Sequence, residues 1–158
     1  MQNRKLILYL DTSVIGGYYD IEFEKDTKPL LENIRKGEFE MMYSNITEEE
    51  LLDAPEQVKA LIETIPVKNR KRVELTEEVM ALADSYINEG VVGQTSRDDC
   101  FHIALATINR ADILISWNFK HIVNVIRIRG YNTVNLKYNY PTIDIRSPKE
   151  LNDYEDKE

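Results

Sequence analysis

The residues best suited to chemistry in this chain are acids that recur where a short apolar run gives way to a helical pattern. Asp11 follows Leu6-Ile7-Leu8-Tyr9-Leu10, and Glu50 comes shortly after Phe39-Glu40-Met41-Met42-Tyr43. Asn118, a near-isostere of aspartate, follows Ile113-Leu114-Ile115-Ser116. Asp99 heads a run through Cys100, Phe101, Ile103 and Ala104 that is too apolar to be anything but a buried helix. Carboxylates gathered at one end of a parallel sheet form a cage of hard oxygens, the environment that Mg²⁺ or Mn²⁺ prefers.

Each acid also has a structural role open to it. Asp11 precedes Thr12-Ser13 and could cap the next helix through its side chain. Thr47-x-x-Glu50 matches a capping box in which the glutamate folds back on the Thr47 N–H, and Ser96-x-x-Asp99 has the same spacing. Position and spacing do not separate these readings; the combination favours a shared ion. Asp99 opens a helix apolar nearly all round, where a carboxylate would protonate unless a cation or hydrogen bonds kept it charged. His102, three residues on, shares its flank and could hydrogen-bond Asp99, although a satisfied core histidine is its ordinary role. Asn118 offers a carbonyl oxygen to an ion or a water, or simply forms a turn, with Trp117 pointing elsewhere. Lys120 and His121 could reach a phosphate or merely face solvent.

These residues need elements to carry them. Buried strands are expected at 5–10, 39–44 and 113–116, with a short edge strand at 72–75. Helical patterns cover 12–19, 27–36 (closed by Gly37), 46 to about 55, 56–65, 76–88 and 97–109. A further helix is expected at 119–128, closed by Gly130, and 133–136 and 142–146 could supply one or two more strands. Gly16-Gly17 weakens the first helix by about 1 kcal/mol per glycine and could serve close packing. Strands alternating with helices imply an α/β fold, a three-layer α/β/α sandwich around a mostly parallel sheet. Ligands on such sheets bind beyond the carboxyl ends of the strands, where Asp11 and Asn118 fall. Residues 1–147 are expected to form one domain and 148–158 an acidic, flexible tail.

Composition narrows the function classes. The 158 residues suit a single domain. A lone cysteine, Cys100, excludes an intramolecular disulfide and lies among apolar neighbours, as a core residue does. Five apolar residues before Asp11 are too few for a signal-peptide core or a membrane span, so the expectation is a soluble, cytoplasmic protein. The net charge of −8 argues against holding nucleic acid by bulk electrostatics. That objection weakens because acids sit in the tail and in a cage whose charge a divalent ion would neutralise. Lys68-Asn69-Arg70-Lys71-Arg72 reads more readily as a solvated loop than as a phosphate contact. No glycine-rich dinucleotide or Walker motif is present, which disfavours a nucleotide cofactor.

Four blocks then carry a resemblance: Leu8-Tyr9-Leu10-Asp11-Thr12-Ser13-Val14-Ile15, Ser44-Asn45-Ile46-Thr47-Glu48-Glu49-Glu50-Leu51, the stretch Ser96 to Ala106, and Ile113-Leu114-Ile115-Ser116-Trp117-Asn118-Phe119-Lys120-His121. Their order resembles PIN-domain ribonucleases, most nearly the VapC-like toxins, over about residues 5–146. The resemblance implies the PIN-like α/β/α sandwich and RNA endonuclease activity with Mg²⁺ or Mn²⁺. By position, the metal ligands are Asp11, Glu50 and Asp99, with Glu49 and Asp98 as second choices. Where many members carry a fourth acid this chain has Asn118, so a second ion would bind weakly or not at all. Thr12, Ser13 and Ser116 are implied contacts to phosphate or water. An RNA substrate, a small antitoxin partner and a homodimer follow from the same resemblance, with the toxin of a type II toxin–antitoxin pair as the role. Asn118 and the negative net charge also suit a second class, a catalytically weak PIN fold that binds RNA or protein. A phosphatase using Asp11 as a covalent nucleophile is disfavoured, because Ser13 stands where the haloacid dehalogenase type needs a second aspartate.

Overall fold

A computed structural model describes residues 4–156. Strands Ile7–Leu10 (β1), Glu40–Ser44 (β2), Arg70–Val73 (β3), Ile113–Ile115 (β4) and Asp144–Arg146 (β5) form one sheet in the order β3-β2-β1-β4-β5. Every neighbouring pair is parallel, Leu8 lying between Met41 and Ile113. Around the sheet run helices Thr12–Gly17 (α1), Glu24–Arg35 (α2), Asn45–Glu50 (α3), Glu56–Lys59 (α4), Glu77–Asn88 (α5), Arg97–Ile108 (α6), Val125–Lys137 (α7) and Pro148–Asp156 (α8).

A parallel sheet is covered on both faces, so its three central strands are mostly apolar without alternation in polarity, while their side chains still alternate between two cores. Leu8, Leu10, Met41, Tyr43 and Ile115 pack with Val14, Leu30, Leu31 and Ile34 on the α1–α2 side. Tyr9, Met42 and Leu114 pack with Leu82, Tyr86, Ile103 and Tyr131 on the opposite side. Each fully buried aliphatic side chain contributes roughly 1.5–3 kcal/mol. Helix α6 lies deepest, with every residue from Cys100 to Thr107 buried. Burial pushes the Cys100 thiol up to about 12, with the charges of Asp99 and Asp84 adding to it, as befits an inert core residue.

The sequence pattern misplaces five elements. The expected helix at 119–128 is a series of turns until Asn124, whose side chain accepts from the N–H groups of Ile126 and Arg127 and starts α7. That helix then runs through Gly130, so 133–136 is helical rather than a strand, with Tyr131, Val134 and Asn135 facing the core. Gly130 marks a close approach instead of a helix end: a Cβ there would lie 2.7 Å from Val91 Cγ1. Residues 148–156, expected in a flexible tail, form α8, anchored by buried Leu151 and by an Asn152 amide donating to Asp26 O at 2.8 Å. Residues 157 and 158 of that expected tail lie outside the described residues. The helix expected at 56–65 is the single turn of α4 followed by a 3-10 turn at Ile62–Thr64, and β3 starts two residues before its expected position. Among the described residues no helix is long and apolar enough to cross a membrane.

Candidate active site

The chain passes β1, β2 and β3 toward one sheet edge and then returns to lay β4 and β5 on the other side of β1. This reversal opens a crevice past the carboxyl ends of β1 and β4. Because Leu10 pairs with Ile115, the next residue on each strand, Asp11 and Ser116, meet there. Ser116 Oγ donates to Asp11 Oδ2 at 2.5 Å. Ser13 Oγ donates to Asp11 Oδ1 at 2.6 Å and accepts from the Trp117 N–H at 2.9 Å. Asp11 also caps α1, accepting from the Val14 N–H at 3.2 Å. The capping role is therefore present, and it fixes the carboxylate at the crevice. Only 4 % of Asp11 is exposed. Burial raises its pKa, against the opposing charge of His102 and the bonds from Ser116 and Ser13.

Glu50 is not part of a capping box. Strand β2 ends at Ser44, which becomes the N-cap of α3 and exchanges bonds with Thr47. At the far end of that helix Glu50, still accessible to solvent, accepts from Thr12 Oγ1 at 2.7 Å and pairs with His102 Nε2 at 2.5 Å. Burial opposes its ionisation, yet the His102 and Thr12 bonds outweigh burial and lower its pKa. His102 itself is buried, and its Nδ1 meets the Tyr9 hydroxyl at 2.7 Å, which in turn meets Ser44 Oγ at 2.8 Å. Burial pulls the His102 pKa down, but the Glu50 bond and the charges of Asp11, Glu50 and Asp99 together raise it. An imidazolium satisfies the whole chain: it donates at both nitrogens, and Tyr9 passes its own O–H to Ser44.

Asp99 sits in the first turn of α6, half-buried, while neighbouring Asp98 and Glu49 are exposed. The Ser96 side chain makes no capping bond and its N–H is taken by Gly93 O, so the capping box suggested by spacing is absent here too. Asp99 Oδ2 accepts from Asn118 Nδ2 at 3.3 Å. Asn118 Oδ1 accepts from the N–H groups of Lys120 and His121, so the turn role fixes its orientation and leaves its amide aimed at Asp99. Burial first, and then the charge of Asp11, raise the Asp99 pKa; Glu50 adds to this, and His102 and His121 oppose it. No lysine or arginine pairs with Asp99 among the described residues. His121 Nδ1 is buried without a hydrogen-bond partner.

The structure thus brings Asp11, Glu50, Asp99, Asn118, Thr12, Ser13 and Ser116 to one end of the sheet. It does not bring the three acids into a ligating set: among the described residues, no group of three or more His, Cys, Asp or Glu side chains is arranged to hold a metal ion. Glu50 is turned onto His102 and Thr12, and Asp11 onto two serines. Ser116 has no exposed surface, so its hydroxyl orients Asp11 instead of meeting a phosphate. Trp117 turns away as expected, stacking on Phe23 at 4.5 Å and donating to Thr27 Oγ1 at 2.9 Å. What sequence reasoning missed is the Glu50–His102–Tyr9–Ser44 chain. Its one signal was Tyr9, a polar-tipped residue inside an otherwise aliphatic strand.

No family model matches this chain, and no curated protein matches it in sequence. Solved structures do resemble it. VapBC2 from Rickettsia felis, solved bound to a DNA fragment from its promoter, gives a TM-score of 0.53 at 15% identity, covering 90% of this chain and 98% of the other. FitAcB from Neisseria gonorrhoeae gives 0.56 at 15% identity, covering 89% and 97%. At such identities the likeness shows the fold, and the fold is the PIN-like α/β/α sandwich with a five-stranded, all-parallel sheet.

Proposed function

We propose that this chain is a divalent-metal-dependent RNA endonuclease, cytoplasmic and homodimeric, acting as the toxin of a type II toxin–antitoxin pair with a small antitoxin partner. The observation that carries the reading is Asp99: a half-buried carboxylate that no lysine or arginine pairs with among the described residues, beside Asp11 and Glu50 at the crevice of a PIN-like sheet. The structural likeness to VapBC2 and FitAcB supports the toxin assignment.

The donor chemistry is of the kind that suits Mg²⁺ or Mn²⁺, since carboxylates are hard oxygen donors, and binding requires the three acids to turn from their present hydrogen bonds into a ligating set. Asp11 and Asp99 would hold the ion, with Glu50 as a further ligand or as the group orienting a water. When bound, the ion supplies acidification of water and neutralisation of charge on the scissile phosphate. The protein's part is orientation. Ser13 and Ser116 lock Asp11, Thr12 and His102 hold Glu50, and the Asn118 amide steadies Asp99.

A mixed RNA pool incubated with Mn²⁺ tests this. Wild type is expected to cut the pool, and a folded Asp99→Asn protein is expected to leave it intact. If both leave the RNA whole, or both cut it equally, the nuclease reading is wrong. The first of those results would favour a binding module instead, the reading that Asn118 in place of a fourth acid and the net charge of −8 support.

A further inference from the structure

A groove of about 470 Å³ opens directly off the acid cluster, sharing Thr12 and Glu50 with it. From there it runs between the α1 end and the turn that leads into α4. Its floor is apolar, with Gly16, Ala54 and Val58, and its far wall carries Tyr19, Asp20 and Gln57. Tyr19 is 40 % exposed. Its ring is braced edge-on by Tyr18 at 4.9 Å and 70°, and Tyr18 is flanked by the cationic ends of Lys28 and Arg35 at 5.6 and 5.5 Å. An exposed aromatic held in place by a second ring is a stacking platform prepared in advance.

The lining contains two acids and no lysine or arginine, so a phosphate is repelled from it and a neutral, flat group is accepted. Hydrogen-bonding capacity at the far wall is weighted toward acceptors. The Asp20 carboxylate, whose Oδ1 already accepts from the Glu22 N–H at 2.8 Å, has lone pairs to spare, and Gln57 adds an exposed amide. The groove is open at Gly16: a Cβ built there meets nothing within 4 Å, so a bulky side chain at that position would project into free space.

We propose that this groove is a nucleobase subsite. It takes one unpaired base of an RNA strand whose neighbouring phosphate lies at the acid cluster, stacks that base on Tyr19, and selects bases with an exocyclic amino donor through the acceptors of Asp20 and Gln57. The inference rests on the nuclease reading for its substrate and adds to it two requirements: the RNA is single-stranded at the cut, and guanine, adenine or cytosine is preferred over uracil beside it. Splaying a base out for stacking and edge contacts is how single strands are read, whereas a duplex keeps its bases paired and out of reach.

The test uses a short single-stranded RNA carrying 2-aminopurine, with the full-length Asp99→Asn protein so that binding is read without cleavage. Fluorescence quenching on binding is expected. Adding Tyr19→Ala should weaken binding roughly five- to a hundredfold and remove the quenching, whereas Tyr19→Phe should retain both. Gly16→Leu, which fills the floor, should act like Tyr19→Ala. The subsite is overturned if Tyr19→Ala binds and quenches as its parent does, or if a duplex containing 2-aminopurine is bound equally well. Mapping of cut ends separates this from the parent reading. RNA cut by wild type with the same bases at the cut as by Asp20→Asn and Tyr19→Ala sinks the subsite alone, whereas a wild type that cuts nothing sinks the nuclease reading and leaves the quenching result to decide the groove.

Discussion

Replacing His102 with leucine removes two hydrogen bonds at once from the buried end of the site. One is the 2.5 Å contact to Glu50, charge-assisted when the imidazole is protonated, and the other is the 2.7 Å contact to Tyr9. A bond to a charged group is worth roughly 1.5–3 kcal/mol and a neutral one roughly 0.5–1.5. Glu50 can be hydrated once released, and Tyr9 keeps Ser44, so the combined loss is about 2–4 kcal/mol. The pH dependence follows from the two shifts. His102 has its pKa raised above the ordinary 6.5, so its contribution is complete below that value and is lost as pH climbs through the raised one. Glu50 has its pKa lowered below 4.5, so its contribution is complete above 4.5 and is lost as pH falls through the lowered one. The pair is strongest between those limits. Urea unfolding of wild type, His102→Leu, Glu50→Gln and the double variant at about pH 6 and again at about pH 9 gives the coupling energy directly. A coupling above about 1 kcal/mol at the lower pH that shrinks at the higher is the expected result. Coupling that is absent, or identical at the two pH values, would refute the charged pair.

Three further outcomes are expected. Asp11 and Asp99 hold their protons more tightly in the folded chain, so the metal-free protein loses stability as pH rises from the ordinary 3.8 through their raised values. Mn²⁺ at about a hundred times its Kd should restore about 2.7 kcal/mol, a rise in Tm of roughly 5–10 °C that Asp99→Asn abolishes; a Tm indifferent to Mn²⁺ would show that the acids hold no ion. Gly17→Ala puts a Cβ 2.9 Å from Trp117 Nε1 and 3.1 Å from Thr27 Oγ1. It should cost about 2–3 kcal/mol through crowding and loss of the Trp117–Thr27 bond, read as a fall in urea midpoint. Asn118→Asp exchanges a donor to Asp99 for a second carboxylate; calorimetry should show weaker metal-free stability, by about 1–2 kcal/mol, together with tighter divalent binding.

The layers of the fold were legible because parallel sheets leave a coarse mark, short apolar runs separated by helical periods. The errors fall where one local signal has two causes. Gly130 reads as a helix stop, and it is a contact with Val91 that only the folded chain creates. The acidic stretch from 148 onward reads as solvated, and a buried leucine together with the Asn152–Asp26 bond docks it on α2 as a helix. Likewise 133–136 has β-branched character, but the residues that face the core follow the helical spacing of Tyr131, Val134 and Asn135.

The residues that gather at the crevice were legible in the sequence and the hydrogen bonds among them were not, for a physical reason. Acids announce themselves by following strand-like runs, and parallel pairing brings such positions together whatever lies between them. Apart from Ser13, the groups that orient them lie far off in sequence: His102 is 52 residues from Glu50, and Ser116 is 105 from Asp11. The donors to Asp11 and Asp99 are also of one kind, all neutral. Arg72 is engaged with Glu48 and Glu74, and Arg97 with Asp84, none of them a partner of Asp11, Glu50 or Asp99. Within it, hydroxyls and an amide hold Asp11 and Asp99, and the histidine is given to Glu50. Neutral donors fix the direction of a carboxylate without cancelling its charge, whereas an arginine at Ser13 or Asn118 would do both. A cluster kept oriented and still negative retains its attraction for a cation from solution, and this is how the serines at 13 and 116 matter to the proposed chemistry through Asp11.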